Sequence, residues 1–321
     1  MRDPFRIEGP AVISFSGGRT SAYMLRRILD AHDGRLPDDV VVLFTNTGEE
    51  APGTLEFVAE CARQWDVDIR WAERRRHAPG KFVEVDYETA SRAGEPFDEL
   101  IDERRAVPNA FMRFCTVALK ILVMRAFMLA RGCEHWTNIV GLRADEGRRV
   151  ASLRAHPEDL WDVACPLYDA GVTKADVMAF WAAQPFDLRI DAWDGNCTDC
   201  FLKSLSARYR RAEDHPDVTG RWAARETRTG RTFRKDGPTY AQLIAATTSQ
   251  LRLHLRTLPE PEGDSINCGC TERVVRKRRP CYCGAHKPAR GHTLFCRFAR
   301  EDEAAGIPLG PTAHQLAAGA A

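Results

Sequence analysis

AVISFSGGRTSAYML, residues 11–25, decides the reading of this chain. Five apolar or small residues break at Ser16-Gly17-Gly18, and apolar residues then return at helical spacing. The pattern is a buried strand over 11–15, a glycine turn, and a helix over Ser21–Leu29. Two adjacent glycines meet the needs of a tight turn, where φ is positive or backbones approach closely. They also meet the needs of an anion site. A Gly/Ser loop that opens a helix presents free backbone N–H groups and the positive end of the helix dipole. Ser16, Gly17, Gly18, Thr20 and Ser21 are the donors in that reading, and Arg19 supplies charge or points to solvent.

Working outward, β-rich runs alternate with helical ones. VVLFTN (41–46), DIRWAE (68–73) and WTNIVGL (136–142) read as strands. Thr54–Trp65, Val117–Ala130 and Lys174–Ala183 read as helices, the last with Thr173 as N-cap. Such alternation predicts an α/β fold with a parallel, doubly wound sheet. Ligands of these sheets lie beyond the C-terminal strand ends. SGGRTS, TNTGEE and GLRADE each follow a predicted strand. Asn46 and Gly48 sit where a ribose or base commonly lies, or form an ordinary turn. Arg143 and Arg149 offer guanidinium forks for phosphate or sulfate, or form a surface ion-pair cluster.

Beyond residue 204 the strand pattern fades. RYRRAEDHP, the 221–240 stretch and a helical pattern over Tyr240–Leu255 predict a smaller helical region. The expected division is a nucleotide-binding domain over 1–205, a helical region with CxC over 206–270, and a basic Cys/His tail over 271–321 whose end is disordered. The chain has 321 residues, 44% hydrophobic and 28% charged, as globular proteins do. No apolar run is long enough to span a membrane and no secretory signal opens the chain, so a cytoplasmic protein without a membrane partner is expected. Net charge is +1, but residues 1–200 carry 25 Lys+Arg against 33 Asp+Glu, while 201–321 carry 21 against 12. A basic C-terminal third permits a nucleic-acid partner, or is a solvated face.

Eleven cysteines in a cytoplasmic chain favour metal ligation or redox chemistry over disulfides. Cys197-x-x-Cys200 alone reads as half a zinc site or a redox pair. Cys61 and Cys133 read as small buried hydrophobes. Cys281-x-Cys283, with His286, His292 and Cys296, has the makings of a zinc knuckle, or belongs to a disordered basic tail.

Taken in order, these motifs resemble the phosphoadenosine phosphosulfate (PAPS) reductase family, within the N-type ATP pyrophosphatase (PP-loop) superfamily. SFSGGRTS is similar to the PP-loop pattern SGGxDS. NTGEE is similar to the family's NTG segment, and RFCTVALK (113–120) to its Cys-x3-Lys segment. GLRADEGRR is similar to its arginine segment, Cys165-Pro166-Leu167 to a Pro-Leu that follows, and DGNCTDCFLK (194–203) to the CxxC stretch of iron–sulfur members. The resemblance spans roughly 10–205, with a trace at 264–272.

The resemblance implies a five-stranded Rossmann-like sheet of the adenine nucleotide α-hydrolase type. It implies an adenine nucleotide substrate (ATP, adenylyl sulfate or PAPS), with Ser16, Gly17, Gly18 and Ser21 on phosphate. Asn46 and Gly48 would lie near ribose, and Lys120, Arg143 and Arg149 would face sulfate or pyrophosphate. Cys115, Cys197 and Cys200 would hold three corners of a [4Fe–4S] cluster, the fourth falling to Cys165, to Cys268/Cys270, or to none.

Two enzyme readings follow, an oxidoreductase and a sulfurtransferase. In the first, Cys268 or Cys270 attacks the sulfur of PAPS or adenylyl sulfate, and thioredoxin or glutathione then frees sulfite. In the second, ATP adenylates a nucleic acid and sulfur displaces AMP. A third reading is a non-catalytic nucleotide-binding module. The chain departs from the family pattern at three places. Thr20 stands where the PP-loop has Asp. Phe114-Cys115 stands where adenylyl sulfate reductases have Cys-Cys. Cys268-Gly269-Cys270-Thr271 stands where reductases have Cys-Gly-Leu-His, and an extension of about fifty residues follows it.

Overall fold

A computed structural model describes residues 3–156, 158, 160–191 and 194–248. Six strands form one sheet: β1 (Ala11–Phe15), β2 (Val40–Asn46), β3 (Ile69–Arg74), β4 (Phe82–Val85), β5 (Trp136–Val140) and β6 (Trp161–Ala164). Their order is β4-β3-β2-β1-β5-β6. All neighbours are parallel except β3 and β4. The sheet is therefore doubly wound, as the alternation predicts. Five strands are parallel, and the expected count is corrected by β4, an antiparallel edge strand whose four residues are too few to register as a periodic pattern.

Alternate residues of the central strands enter opposite cores. Ala11, Ile13 and Phe15 join one cluster with the helices α1 (Arg19–Ala31), α2 (Pro52–Trp65) and α8 (Lys174–Ala182). Val12, Val41 and Leu43 join another with Val123, Met124 and Phe127 of α5 (Leu122–Ala130). Burial on both faces is why AVISF and VVLF read as unbroken apolar runs. In α1, Met24, Leu25, Ile28 and Leu29 are buried; such side chains each contribute about 1.5–3 kcal/mol when fully buried. Thr173 caps α8 with a reciprocal box to Asp176, as expected.

The helix expected over 117–130 begins earlier and is not uniform. It runs through α4 (Phe114–Thr116), a π-helical turn (Val117–Ile121) and α5. Between β4 and α4 lies α3 (Glu95–Arg104), and after β5 come α6 (Gly147–Arg154) and α7 (Pro166–Asp169). The helices α9 (Leu205–Asp214), α10 (Pro216–Thr229) and α11 (Tyr240–Thr247) follow. Phe97 and Leu100 of α3 pack with Phe201, Tyr209, Trp222, Phe233 and Tyr240 in one cluster. The helical pattern expected to reach Leu255 stops at Thr247, and positions 249–255 lie outside the described residues. Among the described residues no helix is long and apolar enough to cross a membrane.

Candidate nucleotide and thiol site

The order in which strands are added reverses at β1, whose parallel neighbours are β2 and β5, so the crevice beyond its C-terminal end is the switch point. The Ser16–Gly18 loop fills it. Gly17 has φ +73°, and a Cβ there would lie 2.7 Å from Thr54 Cγ2 and 3.0 Å from Val58 Cγ2. The turn demands glycine on both grounds. The Ser21 hydroxyl accepts from the N–H of Ser16 at 3.2 Å and of Gly18 at 3.3 Å, and donates to the Gly18 carbonyl at 2.9 Å. The first turn of α1 has no acidic residue, so its positive end is not compensated from within the helix. Arg19 turns away from the loop: its guanidinium forks onto Asp187 at 2.7 and 2.9 Å and donates to the Leu188 carbonyl.

The 46–50 loop follows β2. Asn46 is fully buried; its amide donates to Glu73 at 2.5 Å and to the Ser91 carbonyl at 2.8 Å, and its oxygen accepts from the Gly48 N–H at 3.1 Å. It shapes the loop from beneath and does not line its surface. Gly48 (φ +77°) is hemmed in by Gly94, whose Cα would be 3.0 Å from an added Cβ. Glu50 accepts from the backbone and hydroxyl of Thr47, both at 2.8 Å, and lies 3.6 Å from Lys120 on the π-helical turn. Burial raises the Glu50 pKa, with the Lys120 ammonium opposing it. Turns of this π kind often mark functional positions in helices.

The CxxC segment lies across both loops. Asn196 donates to the Ser16 carbonyl at 2.7 Å, and its own carbonyl accepts from Ala51 N–H at 2.9 Å. Cys197 forms an antiparallel bridge with Glu50, and Thr198 N–H donates to the Glu49 carbonyl at 2.8 Å. The Glu49 side chain gathers the far partners: its carboxylate accepts from Trp222 Nε1 at 2.8 Å and from Thr198 Oγ1 at 3.2 Å, and pairs with Arg225 at 2.6 Å. Arg225 in turn holds Asp98 at 2.8 and 3.0 Å.

Cys197 and Cys200 are close enough to hydrogen-bond. That contact, burial and the charges of Glu49 and Glu50 all push the Cys197 thiol well above its ordinary pKa. Cys115 packs against the same apolar cluster. Among the described residues, no three His, Cys, Asp or Glu side chains are grouped as a metal site. The thiol pair thus fits one edge of a cluster or half a zinc site. Cys165 belongs to a separate cluster with Val140, Leu142 and Val150, and burial pushes its thiol up to about 11. Cys61 is fully buried and Cys133 half-buried, both in apolar surroundings. Cys268, Cys270, Cys281, Cys283, His286, His292 and Cys296 lie outside the described residues.

The arginine segment completes the crevice. Arg143 Nη1 donates to Thr20 Oγ1 at 3.1 Å, and its Nε pairs with Asp145 at 3.0 Å. Arg149 pairs with Glu146. Arg143 therefore stands over the first turn of α1, the turn in which Thr20 replaces the PP-loop acid.

A family model, the phosphoadenosine phosphosulfate reductase domain, matches residues 10–183, more than half of the chain. The chain belongs to this family. Its PP-loop, NTG and arginine segments all fall inside the match, and Cys197 and Cys200 fall beyond it. The uncharacterized nin region protein ORF290 of Escherichia phage lambda is similar, at 34% identity over 203 residues, covering 60% of this chain. The match spans 66% of that relative's length, just under two thirds. Among solved structures, the U34-tRNA thiolase NcsA from Methanococcus maripaludis, with its [4Fe-4S] cluster, is similar over 83% of this chain and 81% of that one. The TM-score is 0.39 and the identity 13%.

Glu49, Asp98, Asn196, Trp222 and Arg225 are absent from the sequence-predicted set. Glu49 lies in a quoted motif, but its importance comes from partners up to 173 residues away. Gly94 was the available signal. A Cβ there would overlap both Glu49 and Arg225.

Proposed function

We propose that this PAPS reductase family member acts at an adenylyl phosphate in sulfur chemistry, reducing adenylyl sulfate or its 3′-phosphorylated form to sulfite. One observation carries this reading. The thiol segment is tied directly to both loops, through Asn196 to Ser16 of the glycine loop and through Cys197 to Glu50 of the 46–50 loop. Phosphate on the loop N–H groups would put the sulfonyl end of the nucleotide within the crevice that Arg143 and Lys120 border. Those cations oppose the charge that builds on the leaving phosphate.

The nucleophile is Cys268 or Cys270. Its thiolate attacks sulfur, forming a sulfur–sulfur bond and expelling the adenosine phosphate with the bond electrons. A dithiol such as thioredoxin then attacks the cysteine sulfur. It releases sulfite, restores the thiol and is itself oxidised to a disulfide.

The second reading is ATP-dependent sulfur transfer to a nucleic acid. It is favoured by the close pairing of Cys197 with Cys200 on a segment held against the 46–50 loop, a spacing that suits two ligands on one edge of a cluster. In this reading Cys115, Cys197 and Cys200 hold an iron–sulfur cluster, which would supply a bound sulfur atom. Iron and acid-labile sulfide, measured after anaerobic purification and again in Cys197→Ala with Cys200→Ala, test it. Stoichiometric iron lost in the double variant supports the cluster, and iron-free wild type removes it.

Equilibrium dialysis with labelled adenylyl sulfate tests the shared core of both readings. The expectation is binding that weakens at least tenfold in Ser21→Ala with Arg143→Ala, roughly the loss of one or two charge-assisted contacts. Unchanged binding in that variant would remove the loop from the account.

A further inference from the structure

A second cationic crevice opens on the β3 side of the sheet. It lies between the end of β3, the turn at Pro79–Lys81 and α5. Arg74, Lys81 and Arg125 line it, and Leu122, Ala126 and Leu129 give it an apolar floor; among the described residues no acidic side chain lines it. Arg74 is 5% exposed and Arg125 is 8% exposed, so both guanidinium groups are largely withdrawn from water. Arg74 pairs through Nη2 with Glu103, while its buried Nη1 donates no hydrogen bond among the described residues. A buried charged donor left without a partner is costly, which favours an acceptor in the groove. Burial works to raise the Glu103 pKa. Arg74, Lys81 and Arg104 outweigh it and hold the carboxyl below its usual range. The positive field at this end of the groove is therefore strong enough to overcome desolvation of an acid.

The turn is built to deliver a cation. Gly80 and Lys81 both have positive φ, +67° and +57°. That conformation is strained for lysine, and Lys81 lines the groove together with Arg125. β3 is two strands from β1, so about 10 Å of sheet separates this groove from the glycine loop.

We propose that the groove is a second oxyanion site, taking the phosphate or sulfate group of a small ester whose organic part lies on the Leu122–Leu129 floor. Arg74 Nη1, Lys81 and Arg125 hold the oxyanion, a geometry suited to guanidinium forks. The apolar floor makes an ester a better ligand than the free ion.

Amide chemical shifts of the full chain, titrated with phenyl phosphate and separately with inorganic phosphate, test this. The expected result is saturable shifts at residues 80–82 and 122–126 with phenyl phosphate, at least about fivefold tighter than with inorganic phosphate. Lys81→Glu, on a turn outside both cores, weakens this binding at least tenfold, and Lys81→Arg restores it. Arg125→Gln does the same wherever its circular dichroism matches wild type. Three results overturn the proposal: no saturable shifts at these residues, equal affinity for the two probes, or unchanged affinity in Lys81→Glu.

Discussion

Replacing Glu49 by Ala removes a side chain that ties the CxxC segment, the 46–50 loop and α10 together. Its carboxylate is 2% exposed. Breaking one side of a buried ion pair costs about 3–5 kcal/mol, because the surviving charge is left without compensation. Arg225 keeps its two bonds to Asp98, at 2.8 and 3.0 Å, so the lower figure of about 3 kcal/mol applies. Trp222 Nε1 also loses its acceptor inside the apolar cluster, adding about 1 kcal/mol. The expected loss is about 4 kcal/mol, a large share of the 5–15 kcal/mol typical of a folded domain. Urea unfolding followed by tryptophan fluorescence reads it directly. Glu49→Gln keeps an acceptor for Trp222, and its loss should be about 1 kcal/mol smaller. A loss under about 1 kcal/mol for Glu49→Ala would refute the reasoning, since no buried pair that matters would have been broken.

Other substitutions probe the same network and the loops. Gly94→Ala places a Cβ against both Glu49 and Arg225 at φ +88°, and should cost at least about 2 kcal/mol in the same unfolding assay. Gly17→Ala should cost about 1–2 kcal/mol and weaken adenine nucleotide binding at least tenfold by dialysis, because the loop cannot keep its turn. Glu50 has a raised folded pKa, so the stability tied to its neutral form is present below the usual carboxylate range and declines as pH rises through the raised value. Lys120→Ala raises that value further, and urea midpoints should show its penalty growing as pH rises above the usual carboxylate range. Cys165, held at about 11, should resist iodoacetamide at neutral pH in the folded chain, as peptide mass mapping would show.

Much of this molecule is legible in its sequence. β1, β2 and β5 announce themselves because central parallel strands, buried on both faces, need continuous apolar runs. The glycine loop is legible because only glycine tolerates the φ of Gly17 beside Thr54 and Val58. Local chemistry also gives the Thr173 cap. The rest depends on tertiary partners. Arg19 reads either as charge for the loop or as a solvent-facing residue, and its partner Asp187, 168 positions away, leaves no local mark. Asn46 reads as a ribose contact until Glu73 and Ser91 are seen to bury it. The π-helical turn at Val117–Ile121 leaves no mark in an apolar pattern that fits an ordinary helix equally well. Glu49 sits in plain view in NTGEE, yet its partners Trp222 and Arg225 lie on a helix beyond the family match.

The most direct measurement is product analysis from anaerobically purified protein. PAPS, adenylyl sulfate and ATP would each be incubated with a dithiol reductant, and the nucleotides and sulfite resolved by chromatography. The account predicts stoichiometric sulfite with AMP from adenylyl sulfate, or with adenosine 3′,5′-bisphosphate from PAPS, abolished by Cys268→Ser with Cys270→Ser. AMP and pyrophosphate from ATP, rising with added nucleic acid, would move the reaction to sulfur transfer at the same loop. No turnover of any of the three nucleotides would contradict the central claim that this crevice does chemistry at an adenylyl phosphate.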